Sequence, residues 1–101
     1  MATFSAVFSP TGPGQDLSST VTASASSAEI VLGTDRIFAI NATDDVNIAF
    51  GVSGMAAAAA TNFRIPGGTV ATYDTGQFDR IRLYNATSAT ITYYIQLLTK
   101  A

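Results

Sequence analysis

The chain has no cysteine, no histidine and no tryptophan in 101 residues, and only 12% of it is charged. Each absence removes a class of chemistry. Without cysteine there is no disulfide framework and no thiolate metal site, and the composition fits a protein made in a reducing cytosol. Without histidine or cysteine, the usual general base and the usual thiol nucleophile are both missing. Serines and threonines are plentiful, but none has an activating partner in the sequence, and Glu29 is the one glutamate. The aspartates at 35, 44, 45, 74 and 79 are dispersed, with no D-x-D-x-D pattern of a calcium loop. The five cations, Arg36, Arg64, Arg80, Arg82 and Lys100, are scattered and the net charge is −2, which is not the basic footprint of a nucleic-acid binder. No apolar run approaches the length that crosses a bilayer, and Met1 to Ser5 lacks the positive and apolar regions of a signal peptide. These absences predict a protein that is not an enzyme, needs no cofactor, and binds neither nucleic acid directly nor a membrane.

What is present is apolar and small. Hydrophobic residues make up 48% of the chain. A free-standing small domain usually has a surface about a quarter to a third charged. Much of this surface must therefore be Ser, Thr, Ala, Gly and Asn, or be covered by a partner. The length suits one domain with a modest core of its own.

The strongest local signal is alternation. Asp79 to Tyr84 places Ile81 and Leu83 on one side and Arg80, Arg82 and Tyr84 on the other. Asn85-Ala86-Thr87-Ser88 is turn chemistry. Thr90 to Leu98 then alternates again, with Ile91, Tyr93, Ile95 and Leu97 on one face. This reads as a hairpin over 79–98. A related segment occupies 35–52: Asp35-Arg36-Ile37 matches Asp79-Arg80-Ile81, and Asn41-Ala42-Thr43 matches Asn85-Ala86-Thr87. With a slip of one residue after the turn, Val46, Ile48 and Phe50 fall on Ile91, Tyr93 and Ile95. Two related hairpins that bury each other's apolar faces predict a pseudo-symmetric sandwich or barrel.

The rest of the chain supports that class. Residues 1–28 form a separate zone, read as an extended arm with an edge strand over 19–25. Phe4, Val7 and Phe8 are its large apolar residues before Leu17, and Pro10-Thr11-Gly12-Pro13-Gly14 breaks any regular element. Residues 29–101 form the sandwich domain. Ala28 to Leu32 reads as a short strand. Met55 to Ala60 reads as a loop or helical turn closing one end, since so short an alanine run makes a marginal helix. Asn62 to Pro66 and Thr69 to Tyr73 are further strands, separated by Pro66-Gly67-Gly68. The expected fold is all-β: a single β-sandwich or jelly-roll-like barrel of about seven or eight short strands with an extended N-terminal arm.

Other motifs invite two readings. The repeated Asp-Arg pairs are partner-binding groups or, more simply, strand starts with local ion pairs. Asp44-Asp45 keeps a turn soluble. Asn41-Ala42-Thr43 and Asn85-Ala86-Thr87 match the glycosylation pattern but read as turns. Tyr84, Tyr93, Tyr94 and Phe78 are candidates for a sugar-stacking platform, although Tyr93 and Tyr94 are neighbours on a strand and face opposite ways.

The style of the chain has a parallel. It is short, free of Cys and His, rich in Ser, Thr and Ala, and closed by FRIPGG and TYDTGQFDRIRLYNATSATITYYIQLL. Over residues 29–99 it resembles small structural proteins of tailed-bacteriophage virions, the capsid decoration or cement proteins with a jelly-roll-like sandwich. The resemblance lies in strand pattern and transfers no functional residue. It implies a non-enzymatic subunit made in the host cytoplasm. Such a subunit binds the major capsid protein on the outer surface of the assembled shell, as a homo-oligomer, dimer or trimer. On the residues themselves, Phe4, Val7, Phe8 and Pro10 are the candidate partner contacts, because an extended arm can add a strand to a neighbour and buried aromatics dominate interfaces. The alternative reading is a head-fibre or tail-fibre binding module that recognises a host surface glycan.

Overall fold

The computed structural model describes the backbone of residues 8–10 and 17–100, and the side chains of 17–98. Ten strands are described, with no helix among them: β1 (Phe8–Pro10), β2 (Leu17–Val21), β3 (Ala25–Ser26), β4 (Ile30–Val31), β5 (Ile37–Ala42), β6 (Val46–Gly51), β7 (Phe63–Ile65), β8 (Ala71–Asp74), β9 (Arg80–Asn85) and β10 (Ile91–Lys100). They form two antiparallel sheets. In sheet A, β10 is bordered by β5, and β5 by the edge strand β8; β1 and β2 lie end to end along the other side of β10. Sheet B repeats this plan. β9 is bordered by β6, β6 by the edge strand β7, and β3 and β4 lie end to end along the other side of β9.

The topology is a jelly roll, two interlocked Greek keys wound into two facing sheets. The ten strands occupy eight strand positions, because the first position in each sheet is split in two. In sheet B the split has a visible cause. Ser26 faces Tyr84 and Ile30 faces Ile81, so the chain carries one residue more than its partner between these pairs. The Ser27 hydroxyl fills the gap by accepting a hydrogen bond from Leu83 N at 2.9 Å. An inserted residue of this kind interrupts a ladder and bends the strand.

Three sequence expectations change here. The segments 35–52 and 79–98 are not hairpins. β5 pairs with β10 and β8, and β6 with β9 and β7, so each short turn carries the chain from one sheet to the other as an arch. Second, the sandwich begins by Leu17 rather than at residue 29: β2 is built into sheet A, β3 into sheet B, and Val21 lies in the core. Third, the sequence repeat is one residue out of step with the structural one. The buried positions of β5 are Phe38, Ile40 and Ala42, and those of β9 are Ile81, Leu83 and Asn85. Phe38 therefore takes the place of Ile81, whereas the shared Asp-Arg-Ile had aligned Ile37 with it. A slip of one residue moves every side chain to the opposite face.

The core fills the space between the sheets. Phe38, Ile40, Ile81, Leu83, Ile91 and Ile95 are buried at its centre, each worth about 1.5–3 kcal/mol relative to exposure. Phe38, Phe50 and Tyr73 form an aromatic triangle with ring centroids 5.6–6.2 Å apart, a spacing suited to tilted and edge-on contacts. Two buried polar side chains pin the corners. Thr75 Oγ1 donates to Gly33 O at 2.7 Å and accepts from Arg36 N at 2.9 Å, which ties the turn before β9 to the turn before β5. Asn85 Nδ2 donates to Val21 O at 3.0 Å and Ala89 O at 2.7 Å, while its Oδ1 accepts from Thr87 N and Thr87 Oγ1.

Candidate interaction faces

The two sheets treat their outer faces differently. Along β6 and β9 the residues between the core positions point away from the core: Asn47 and Ala49, and Arg82 and Tyr84. The segment 52–62 lies across them. Asn47 Nδ2 donates to Asn62 O at 2.8 Å and Ala60 O at 3.3 Å. Arg82 donates from Nη1 to Met55 O at 3.1 Å and from Nε to Ser27 O at 2.9 Å. Ala58 N donates to Ser26 Oγ at 3.0 Å, and Ala58 is buried. Asn47 is buried as well, although it points outward, because this strap covers it. The alanine run was expected to close one end of the sandwich. It covers the face of sheet B instead, and small side chains are what allow an extended backbone to lie so close.

The outer face of sheet A has no such cover among the described residues. It presents Ile37, Ala39 and Asn41 from β5, Thr92, Tyr94 and Leu98 from β10, and short hydroxyl side chains from β2 and β8. Asp74, at the end of β8, is its one charged side chain among those described. Charges in the described part of the molecule lie instead at the loops and on sheet B. Arg80 Nη1 meets Glu29 Oε1 at 2.8 Å and its Nε meets Asp79 Oδ1 at 3.1 Å. These contacts, Asp79 first, raise the Arg80 pKa above its usual value. Arg64 approaches Asp45 at 3.5 Å in an exposed pair of little energetic weight.

The sequence candidates fall as follows. Phe4 and Val7 lie outside the described residues, as do the side chains of Phe8 and Pro10. The backbone of Phe8–Pro10 is placed, and it pairs with Leu98–Lys100 of its own chain. Arg80 serves an internal ion-pair cluster, and Asp35 sits in a left-handed turn (φ 51°), so the two Asp-Arg pairs are not equivalent. Asp45 Oδ1 accepts from Gly67 N at 2.8 Å and joins two arches. Asn85 is fully buried with its amide committed, which removes it as a glycosylation acceptor. The four aromatic residues of the sugar platform do not converge. Tyr93 is in the core, Tyr94 is on the outer face of sheet A, Tyr84 is half-buried on the outer face of sheet B, and Phe78 is in the turn before β9. Burial raises the pKa of Tyr93, an effect partly offset by a hydrogen bond with Ser19, and burial also raises that of Tyr73. Among the described residues no group of three or more acidic side chains is placed to hold a metal.

The open face of sheet A was not singled out from the sequence. Its signal lies in the uncharged alternate positions of 91–98, of which the sequence pointed only to Tyr94, as part of a sugar platform.

No protein-family model and no curated protein sequence matches the chain. Among solved structures, the solution NMR structure of a de novo designed double-stranded β-helix matches 80% of this chain and 95% of its own, at TM-score 0.58 and 20% identity. That likeness agrees with the jelly-roll winding traced above and concerns the fold alone. A chain from Bacillus endospore appendages, a family of disulfide-linked pili, aligns over 99% of this chain and 94% of its own at TM-score 0.43 and 18% identity, too loosely to bear on fold or function.

Proposed function

We propose that this protein is a non-enzymatic structural subunit of a virion, which binds the major capsid protein on the outer surface of an assembled bacteriophage capsid and stabilises the shell. The observation that carries the reading is the contrast between the two outer faces. Sheet B is covered by the chain's own strap. Among the described residues, sheet A presents an open, nearly uncharged surface that includes Ile37, Tyr94 and Leu98 beside Thr, Ser, Ala and Asn. Interface cores are depleted in charge and enriched in tyrosine, and an exposed sheet face suits a broad protein surface better than a small ligand, which needs a concave pocket. Many copies on one shell make modest individual contacts sufficient.

Co-sedimentation with empty, mature capsids tests this reading. The intact protein should bind saturably. Tyr94→Lys, which places a charge on the open face at a half-exposed position, should weaken binding while leaving the fold intact. A variant lacking residues 1–7, which precede β1, leaves sheet A whole: a sharp drop in binding moves the contact to the arm. No binding by the intact protein refutes the shell-binding role.

A further inference from the structure

Sheet edges present unpaired main-chain groups, and soluble proteins blunt them with charge, proline, bulges or shortness. Three of the four edges here are blunted. The edge along β10 is broken between β1 and β2, with Pro10 in β1, although β2 alone runs over five uncharged residues. β3 and β4 are split by the insertion at Ser27. β7 has three residues with Arg64 at its centre and Pro66 immediately after. The fourth edge, β8, is continuous over Ala71–Asp74 and uncharged until its last residue.

The ladder fixes which groups of β8 are open. Thr75 N donates to Arg36 O at 2.8 Å, and the register continues through Phe38 with Tyr73 and Ile40 with Ala71. Antiparallel bonds occur at alternate pairs, so Tyr73 and Ala71 bond to β5. The N–H and C=O of Thr72 point outward from the sheet. Among the described residues nothing pairs with them. The edges β7 and β8 lie on the same side of the sandwich, and beside them stand Phe63, 70% exposed, and Val70, 66% exposed. These are the two most exposed large hydrophobic side chains among the described residues.

We infer that β8 is a dimerisation edge: two copies of the chain join antiparallel through β8 about a two-fold axis at Thr72. The edge is self-complementary. Thr72 faces the partner's Thr72 in a hydrogen-bonded pair, and threonine opposite threonine is favourable. Ala71 faces the partner's Tyr73, and Val70 faces the partner's Asp74, so no like charges meet. The two open faces of sheet A become one continuous surface. The contact is narrow and belongs with the weak interfaces of small area. This inference stands on the geometry of β8 and does not depend on binding to a shell.

The chain has no cysteine, so Thr72→Cys introduces a single thiol. At a hydrogen-bonded antiparallel pair the Cα atoms are about 5.5 Å apart, within reach of a disulfide. Mild oxidation at roughly 100 µM, where a weak dimer is populated, should convert T72C largely to a covalent dimer. Thr20→Cys, exposed on β2 at the opposite edge, should stay mostly monomeric. Equal cross-linking of both, or none in T72C, overturns the proposal. Sedimentation velocity supplies a second reading. Thr72→Pro removes an N–H that bonds nothing in the monomer, and proline is tolerated at such edge positions. The unmodified protein should show concentration-dependent association, and T72P should weaken it by about tenfold or more. A protein that stays monomeric throughout, or a T72P variant that associates as well as the parent, also overturns it.

Discussion

Replacing Asn85 with alanine should destabilise the fold by about 3 kcal/mol, and the number follows from what the side chain holds. Its amide satisfies Val21 O at 3.0 Å and Ala89 O at 2.7 Å, and its oxygen satisfies Thr87 N at 2.8 Å. Ala89 O keeps a second donor, Thr87 Oγ1, at 2.9 Å, and Thr87 is half-buried, so water can replace part of its loss. Val21 is 2% exposed, and its carbonyl would keep only the ladder bond from Ile91, its hydrogen-bonded partner in β10. Each lost buried hydrogen bond costs about 0.5–1.5 kcal/mol, and the vacated core position adds a cavity cost of similar weight. Domains are stable by only about 5–15 kcal/mol, so the loss is a large fraction of the total. Urea unfolding followed by far-ultraviolet circular dichroism measures it. With a slope of about 1.5 kcal/mol per molar, the midpoint should fall by about 2 M. Asn41→Ala provides the comparison. Asn41 occupies the same place in the earlier Asn-Ala-Thr, yet it lies half-buried on an outer face, and its loss should stay within about 0.5 kcal/mol. If the two variants unfold alike, or if N85A shifts the midpoint by less than about 0.5 M, the buried-amide argument fails.

Three further perturbations test other parts of the fold. Gly67→Ala would place a Cβ 2.5 Å from Asp44 Cα, and since the backbone must move to admit it, we expect a loss of about 1–3 kcal/mol in the same urea assay. Burial raises the pKa of Tyr73 and Tyr93 in the folded state. Their neutral forms therefore stabilise the fold fully below the unfolded value near about 10, and that contribution is lost as pH rises through the folded values. Tyrosinate absorbance should show a late-titrating class that coincides with alkaline unfolding, and Tyr93→Phe should reduce the pH dependence. Arg82→Met removes the donors to Met55 O and Ser27 O. Amide exchange at Ala58 and Ala59 should then speed up by about tenfold while the core amides of β9 and β10 are unchanged, as expected for local opening of the strap alone.

Much of the sheet architecture was legible because each principal strand has one face in the core. The alternation over 37–42, 80–85 and 91–98 is the direct imprint of that geometry. The arches were not legible. A short polar turn looks the same whether the chain folds back beside itself or crosses to the other sheet, and the choice is made by partners far away in sequence. Asp-Arg-Ile misled for a related reason: identical tripeptides carry no record of the face they present, and Ile37 is half-buried where Ile81 is fully buried. The strap over sheet B was hidden because alanine marks no preferred face. Of the candidate contacts, Phe4 and Val7 lie outside the described residues, while the open face of sheet A emerged only once sheet B was seen to be covered.

The placement of β9 and β10 bears on how the molecule is made. Among the described residues, β2 has no ladder partner but β10, and β3 and β4 have none but β9. While a ribosome is extending the chain through residue 79, the β5–β8 and β6–β7 ladders are the ones among the described residues that can form. Val21, Ile30, Ile40 and Ile48 must wait with incomplete sheets around them, exposed to chaperones and to other nascent copies. The last two strands then close both sheets almost together, so folding is a late and concerted event rather than a progressive one. Pairings this distant in sequence fold in milliseconds to seconds, and a substitution that slows the docking of residues 80–98 should reduce soluble yield before it measurably changes the stability of the finished molecule.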